Sequence, residues 1–447
     1  MLTRKNVITF CAVLFGVSLT IQMYLFYCGS HLHPIDVART GSRAYNTIKK
    51  FLALTNESQV QAFFVDPYIL QGIVEETFQD GMRPCRFMCK NHIYTFAVQD
   101  SSFDRFNAGV LHVLRDEGFE LRADYKSGSE GLVGEMPTHV VLRDHDHHAI
   151  HVVIFYKRNE FWWYGPDKGD EYGLGFTQHE GAIDIFEADL VPVDGIDVYI
   201  PQQPKLFLEE YQKSRFIPCN QTRAAEFYKL YPRDESKNAT KFNNLVKEII
   251  HVTKRRLDHF GIPFWLSSGT LLGWFRQCDV ISYSMDVDIG VYITDHKPDL
   301  LKMLKTTGMQ LDHKFGKVED SLQYAFDMGD AKLDIFFFYE DKSTGKMWNG
   351  GTDYNSGRKY RYFFDKFTLC WTEFLGMKAR VPCDTERYVR ANYGPDWFKP
   401  VKKWDWKDSP YNVKEVDSWR DSELDEVIQL FDKKGNKVLL EWINDEL

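Results

Sequence analysis

Met285-Asp286-Val287-Asp288-Ile289-Gly290-Val291 alternates acidic and aliphatic side chains with the period of a strand, so Asp286 and Asp288 share one face and Val287, Ile289 and Val291 the other. On that geometry the two aspartate Cα atoms lie about 6.6 Å apart, close enough for both carboxylates to hold one Mg2+ or Mn2+, or two ions roughly 4 Å apart. Two bare carboxylates side by side repel, and a dication offsets the repulsion. Farther along, Ala331-Lys332-Leu333-Asp334-Ile335-Phe336-Phe337-Phe338-Tyr339 is an apolar strand with one acid, Asp334, at its middle. A carboxylate inside such a run is costly unless it is paired or bound to metal. Placed beside Asp286 and Asp288, it completes a three-carboxylate site suited to in-line displacement at phosphorus.

Upstream, Phe242, Leu245, Val246, Ile249, Ile250, Leu257 and Phe260 follow the helical period, and Gly261 and Pro263 end the helix. Phe264-Trp265-Leu266 then reads as a strand and Ser267-Ser268-Gly269-Thr270 as a small-residue turn into Leu271-Leu272-Gly273-Trp274-Phe275-Arg276. Such a turn lets backbone N–H groups approach phosphate oxygens closely, although the same residues also make an ordinary strand-to-helix connection. Lys314, Lys317 and Arg276 are candidates for holding diphosphate oxygens, against their reading as solvated basic residues. Trp348-Asn349-Gly350-Gly351 and Trp404-Asp405-Trp406 offer rings that stack on a base or sugar; core packing is the plainer role for each tryptophan.

Outward from this region, the 447 residues carry 55 basic against 64 acidic side chains, a net charge of −9, which excludes a general nucleic-acid binder. Arg4 and Lys5 precede an uncharged stretch, Val7 to Tyr27, that as a helix spans roughly 30 Å of hydrocarbon. Its length and flanks suit an uncleaved signal anchor better than a cleaved signal peptide, with residues 1–6 cytosolic and all that follows lumenal. The expected organisation is therefore α/β: a transmembrane helix over 7–27, a stem over 28–50, a mixed α/β lumenal domain over 51–219 and a catalytic domain over 220–447. Sequons at Asn56, Asn220 and Asn238 suit that compartment, as do one or two disulfides among Cys85, Cys89, Cys219, Cys278, Cys370 and Cys383, without assigned partners. Asp144-His145-Asp146-His147-His148 reads as a solvated hairpin turn rather than a metal site, and Phe161-Trp162-Trp163-Tyr164 as a core strand. Gly195 to Pro201 and Gly376 to Pro382 share the form Gly-apolar-x-apolar-x-apolar-Pro, and Phe63-Phe64-Val65 echoes Phe264-Trp265-Leu266. The expectation is an N-terminal domain that is a degenerate relative of the C-terminal one, without its acidic pairs.

Trp265 to Arg276 together with Asp286-Val287-Asp288-Ile289-Gly290 resemble the core of the LicD/fukutin-type family of phosphotransferases. The likeness runs on through Lys314 to Ser321, Lys332-Leu333-Asp334, Met347 to Thr352, Phe367 to Phe374 and Trp404-Asp405-Trp406-Lys407, and covers nearly the whole chain. Bacterial members often carry a longer acidic run before the strand, where Ser284 and Met285 stand here. The resemblance implies a nucleotidyltransferase fold in the C-terminal half and a Golgi membrane enzyme. Its implied reaction moves ribitol 5-phosphate from CDP-ribitol to the O-mannosyl glycan of α-dystroglycan, in sequence with fukutin-related protein. In that reading Asp286, Asp288 and Asp334 hold Mg2+ or Mn2+ and carry the chemistry, with Asp334 as general base or as the group positioning the nucleophile. Ser267, Ser268, Gly269, Thr270, Arg276, Lys314 and Lys317 bind the donor. A Golgi nucleotide-sugar glycosyltransferase, or a non-catalytic scaffold for glycan-modifying enzymes, remain alternatives; the first leaves the Ser-Ser-Gly-Thr turn and Asp334 without a task.

Overall fold

In the computed structural model, residues 34–75, 88, 93–127, 135–167, 176 and 179–438 are described. The apolar stretch 7–27 and the Cys85/Cys89 pair lie outside them, and among the described residues no helix is long and apolar enough to cross a membrane. The segment expected as a tether is instead helical from Pro34 to Glu57. Ala44, Ile48 and Phe51 recur at the spacing of one helical face and are buried at 0–1% exposure in the first hydrophobic core, which a solvated stem would not be. Glycine and serine near its start obscured that periodicity.

The N-terminal half continues with β1 (Ala62–Phe64), a helix Pro67–Val74, β2 (Ile93–Gln99), a helical stretch over 103–116, then β3 (Glu120–Ser127), β4 (Glu135–Arg143), β5 (Ala149–Arg158), β6 (Phe161–Tyr164), β7 (Gly181–Asp184), β8 (Ala188–Val193) and β9 (Ile196–Pro201), and a helix Pro204–Gln212. Asp66 caps the helix at Pro67 by accepting from the Tyr68 and Ile69 N–H groups. The histidine-rich run is the turn between β4 and β5, closed by the Asp144 N–H donating to the His148 carbonyl (3.0 Å), and Phe161 to Tyr164 is a fully buried strand.

The C-terminal half opens on the helix Lys237–His259, capped by Ser236, whose buried side includes Phe242, Val246, Ile249, Ile250 and Leu257. There follow β10 (Phe264–Leu266), a helix Ser268–Gln277, β11 (Asp286–Tyr292), a helix Leu300–Lys305, β12 (Gln310–Lys317), β13 (Asp320–Met328), β14 (Ala331–Asp341), β15 (Lys346–Thr352), β16 (Arg358–Asp365), β17 (Leu369–Phe374), β18 (Met377–Pro382) and a helix Thr385–Tyr393. β19 (Val413–Ser418) and β20 (Ile428–Phe431) extend the sheet beside β16 and β12.

Strand pairing shows that the two halves repeat one topology. β1 is antiparallel to β2, β2 parallel to β5, and β5, β4 and β3 follow antiparallel. β10 is likewise antiparallel to β11, β11 parallel to β14, and β14, β13 and β12 antiparallel. The far end of the central strand pairs with the next strand, which pairs in turn with the one after it: β5 with β6 and β6 with β7 in one half, β14 with β15 and β15 with β16 in the other. Each half closes on a hairpin, β8–β9 or β17–β18, and a helix. One difference is that β9 pairs with β1 through Phe63 and Tyr199, whereas β17–β18 forms a separate two-stranded sheet.

The halves meet at that second hairpin. Phe216 bridges to Trp371, and the buried Lys378 ammonium reaches Asp184 at 2.7 Å while lying 4.0 Å over the Trp371 ring. Disulfides join Cys219 to Cys278 and Cys370 to Cys383, the first tying the inter-domain segment to the end of the helix Ser268–Gln277. Because Ile48 is a core residue, Ile48→Ala is expected to lower the unfolding free energy by about 2–5 kcal/mol, measured by urea titration; an unchanged midpoint would return the segment to the status of a tether.

Candidate active site

The three acids meet because β11 and β14 run parallel in one register, which sets Asp288 beside Asp334 and Asp286 beside Lys332. One carboxylate oxygen from each of Asp286, Asp288 and Asp334 lies within 4.8 Å of the others, and Asp288 and Asp334 are only 5% and 9% exposed. The Ser-Ser-Gly-Thr turn serves this cluster directly. Gly269 N–H donates to Asp288 Oδ2 (2.9 Å), Thr270 Oγ1 accepts from the Asp288 N–H (2.8 Å), and the Ser267 N–H donates to the Asp288 carbonyl (3.1 Å). A Cβ on residue 269 would stand 3.2 Å from Asp288 Oδ2 and 3.3 Å from Ser284 Oγ, so glycine makes the approach possible. Ser284 in turn donates its hydroxyl to Asp286, and Ser267 Oγ bonds the Tyr388 hydroxyl at 2.9 Å. The turn expected to cradle phosphate thus spends most of its polar groups on the acid; Ser268 and Gly269 line the cavity, Ser267 and Thr270 do not.

Burial, and then the charges of Asp286 and Asp334, push the Asp288 carboxyl well above the usual range. Burial raises Asp334 to about 6 against the opposing pull of His313, and raises Asp286 against its hydrogen bond from Ser284. Three acids that resist ionising together, all offering hard oxygen ligands, fit a Mg2+ or Mn2+ ion, whose charge removes the mutual repulsion.

The cluster forms one wall of a cavity of about 1130 Å3. Arg276 reaches it from a buried position, lying 4.5 Å over the Phe227 ring and donating to Gln277 Oε1 at 2.8 Å. Trp404 and Trp406 line the mouth at 40% and 39% exposure, with Trp404 packed on Tyr393, whereas Trp348 stacks on Tyr339 and Arg361 as a structural residue. Neither predicted lysine is at the site. Lys314 occupies the face of β12 opposite His313 and Phe315, and Lys317 is ion-paired to Glu423 at 2.6 Å. Lys332, Lys399, Lys402 and Lys407 line the cavity in their place. Of these Lys332 was legible, two positions before Asp334 on an alternating strand; Asp312, His313 and Gln323 depend on pairings that no local pattern marks.

In the N-terminal repeat the corresponding positions hold no acids. Phe64 pairs with Phe96 as Leu266 pairs with Ile289, so Thr95 stands where Asp288 does, and its partner His151 where Asp334 does. The Val65 N–H donates to the Thr95 carbonyl at 3.0 Å, as Ser267 does to Asp288. His139 takes the place of Gln323, and Ile93 that of Asp286. Thr95 Oγ1 lies 3.3 Å from His151 Nδ1, His151 Nε2 is 2.9 Å from His139 Nδ1, and His139 Nε2 is 3.0 Å from the Gly165 carbonyl. Burial holds both imidazoles neutral, His139 at about 4 and His151 well below the usual value, and Phe176 packs against His151 and Tyr164. Among the described residues, only Asp286, Asp288 and Asp334 form a metal-type cluster.

A strand–turn–helix unit presenting paired aspartates beside a third on the parallel neighbour defines a nucleotidyltransferase-fold domain built for chemistry at phosphorus. Comparison with known proteins agrees: residues 3–247 match the fukutin N-terminal model, and residues 261–384 the LicD/FKTN/FKRP nucleotidyltransferase domain. The chain belongs to the fukutin family. It is 42% identical to ribitol-5-phosphate transferase FKTN of Homo sapiens over 429 residues, covering 90% of this chain and 92% of that protein. The Mus musculus counterpart is 40% identical over 461 residues, covering 96% and 99%. Ribitol 5-phosphate transferase FKRP of Homo sapiens is 24% identical over 147 residues, 31% of this chain and 29% of that one.

The raised Asp334 pKa has a stability consequence. A carboxyl whose folded value lies above its unfolded one stabilises the fold at pH below the unfolded value, and that contribution is lost as pH rises through about 6. Metal-free protein is therefore expected to lose thermal stability across this window, Asp334→Asn to lose less, and millimolar Mn2+ to restore the wild type above pH 6. Differential scanning calorimetry on both proteins checks this; identical pH profiles would contradict it.

Proposed function

We propose that this chain transfers ribitol 5-phosphate from CDP-ribitol to a hydroxyl of the O-mannosyl glycan of α-dystroglycan, as a single-pass type II protein of the Golgi membrane acting in sequence with fukutin-related protein. The observation that carries the enzymatic reading is the convergence of Asp286, Asp288 and Asp334 on one wall of a cavity large enough for a nucleotide-linked donor. The ribitol-5-phosphate transferases that align over nine-tenths of the chain support the ribitol phosphate. The resemblance supports the acceptor, and the apolar stretch 7–27 with exposed sequon asparagines at Asn56, Asn220 and Asn238 supports the lumenal setting.

A divalent cation held by the three aspartates would supply neutralising charge to the diphosphate. The protein's own groups hold that site in shape: Gly269 N–H and Thr270 Oγ1 fix Asp288, and Ser284 fixes Asp286. Arg276 and Lys402 add positive charge to the cavity, while Trp404 and Trp406 present ring faces at the mouth. The phosphorus bonded to ribitol is attacked by the acceptor oxygen, the bond to the cytidine phosphate breaks, and CMP leaves.

With the ribitol-side phosphorus of CDP-ribitol labelled, the label is expected to travel to the glycan; label retained on the nucleotide would favour the glycosyltransferase alternative. Asp288→Ala is expected to reduce turnover about 100- to 1000-fold or more with cooperative unfolding retained, by analogy with loss of a principal electrostatic group. Retained activity would refute the role of the triad.

A further inference from the structure

Among the groups in the cavity wall to which the triad assigns no task, Asp312 and His313 stand out because a strand should turn consecutive side chains to opposite faces. The pairing of β12 with β13 slips between Leu311, opposite Phe326, and His313, opposite Ala325, leaving Asp312 as the extra residue of a bulge. Both side chains consequently line the cavity, and His313 Nδ1 lies 2.8 Å from Asp312 Oδ2. That same oxygen receives the Lys332 ammonium at 2.8 Å. The hydrogen bond from His313, then those and the charge from Lys332, hold the Asp312 carboxyl well below the usual range, so it is an acceptor only. With Nδ1–H donated to Asp312, Nε2 is the ring nitrogen left to exchange a proton. Nε2 is buried and has no hydrogen-bond partner among the described residues.

Register places His313 on the face of the sheet that carries Asp334, two strands away. His313 and Asp334 both lie opposite Ala325, one from each side of β13, so they share a face with only a methyl group between them. Phe315 stacks on the imidazole with ring centroids 4.1 Å apart and fixes its plane. The charged groups facing it are Asp312 beside it, Lys332 and Asp334 from β14 and Asp327 from β13; β20 places Leu430 opposite.

We propose that His313 is the general base of the transfer, its Nε2 accepting the proton of the acceptor hydroxyl, with Asp312 and Lys332 as positioning residues. This rests on the phosphotransferase reading above. As the acceptor oxygen forms its bond to phosphorus, its proton passes to Nε2, the electron pair of the breaking P–O bond leaves with CMP, and the imidazolium returns the proton to solvent. Asp334, committed to the cluster with Asp286 and Asp288, keeps the role of a ligand group.

The test uses the full chain with labelled CDP-ribitol and a hydroxyl acceptor, comparing wild type, His313→Gln and Asp312→Asn. For His313→Gln, kcat is expected to fall at least about 100-fold with KM for the donor unchanged. Calorimetric binding of Mn2+ and CMP should be retained, and the acidic limb of the pH profile lost. His313→Gly should regain turnover with added imidazole, and Asp312→Asn should lower kcat less than His313→Gln. Undiminished kcat in His313→Gln, or loss of Mn2+ and CMP binding in step with activity, overturns the proposal alone. Absence of turnover in the wild type overturns the transferase reading beneath it.

Discussion

The parallel register of β11 and β14 is the constraint on which the rest of the site depends. Parallel neighbours place equivalent positions side by side, and here the pairing of Asp288 with Asp334 sets two nearly buried carboxylates against each other. That arrangement is electrostatically unfavourable by itself, and the surrounding chain is organised to hold it. Gly269 gives up a side chain so that its N–H can reach Asp288, Thr270 satisfies the strand's own N–H, and Ser284 steadies Asp286. Aliphatic and aromatic neighbours, Val287, Ile289, Leu333 and Ile335 among them, close the opposite face at 0–1% exposure and keep the dielectric low where it matters.

The repeated topology shows what happens to the same backbone when that constraint is lifted. In the N-terminal half the equivalents of Asp288 and Asp334 are Thr95 and His151, and the place of Gln323 is taken by His139. Neutral groups that both donate and accept can satisfy one another in a chain ending on the Gly165 carbonyl, so the core closes over them without a cation. One half therefore carries a charged cavity and the other, at the same positions, a chain of neutral hydrogen-bonded groups. The inter-domain contacts at Trp371 and Lys378 fall on the β17–β18 hairpin, away from the acids.

Much was legible from local pattern because alternation and helical period are short-range properties. The strand at Asp286, the buried acid in Ala331 to Tyr339, the helix ending at Gly261 and the hairpin turn at Asp144 to His148 all follow from residue spacing within a few positions. Even the relation between the halves left a trace, in the Gly-to-Pro stretches that became β9 and β18. The helix Pro34–Glu57 was obscured, because its first turns carry polar and small residues.

What the chain alone determined was the inventory: which strands carry acids, where a tight turn must precede a helix, and that net charge excludes a general nucleic-acid binder. Tertiary structure decided which cations serve the cavity, removing Lys314 and Lys317 to other surfaces and bringing in Lys332, Lys399, Lys402 and Lys407. It also decided that Asp312 and His313 share a face. The reason is physical: strand register and a single-residue bulge are set by pairing between segments distant in sequence, and a slip of one position exchanges every side chain between core and cavity without altering any local pattern.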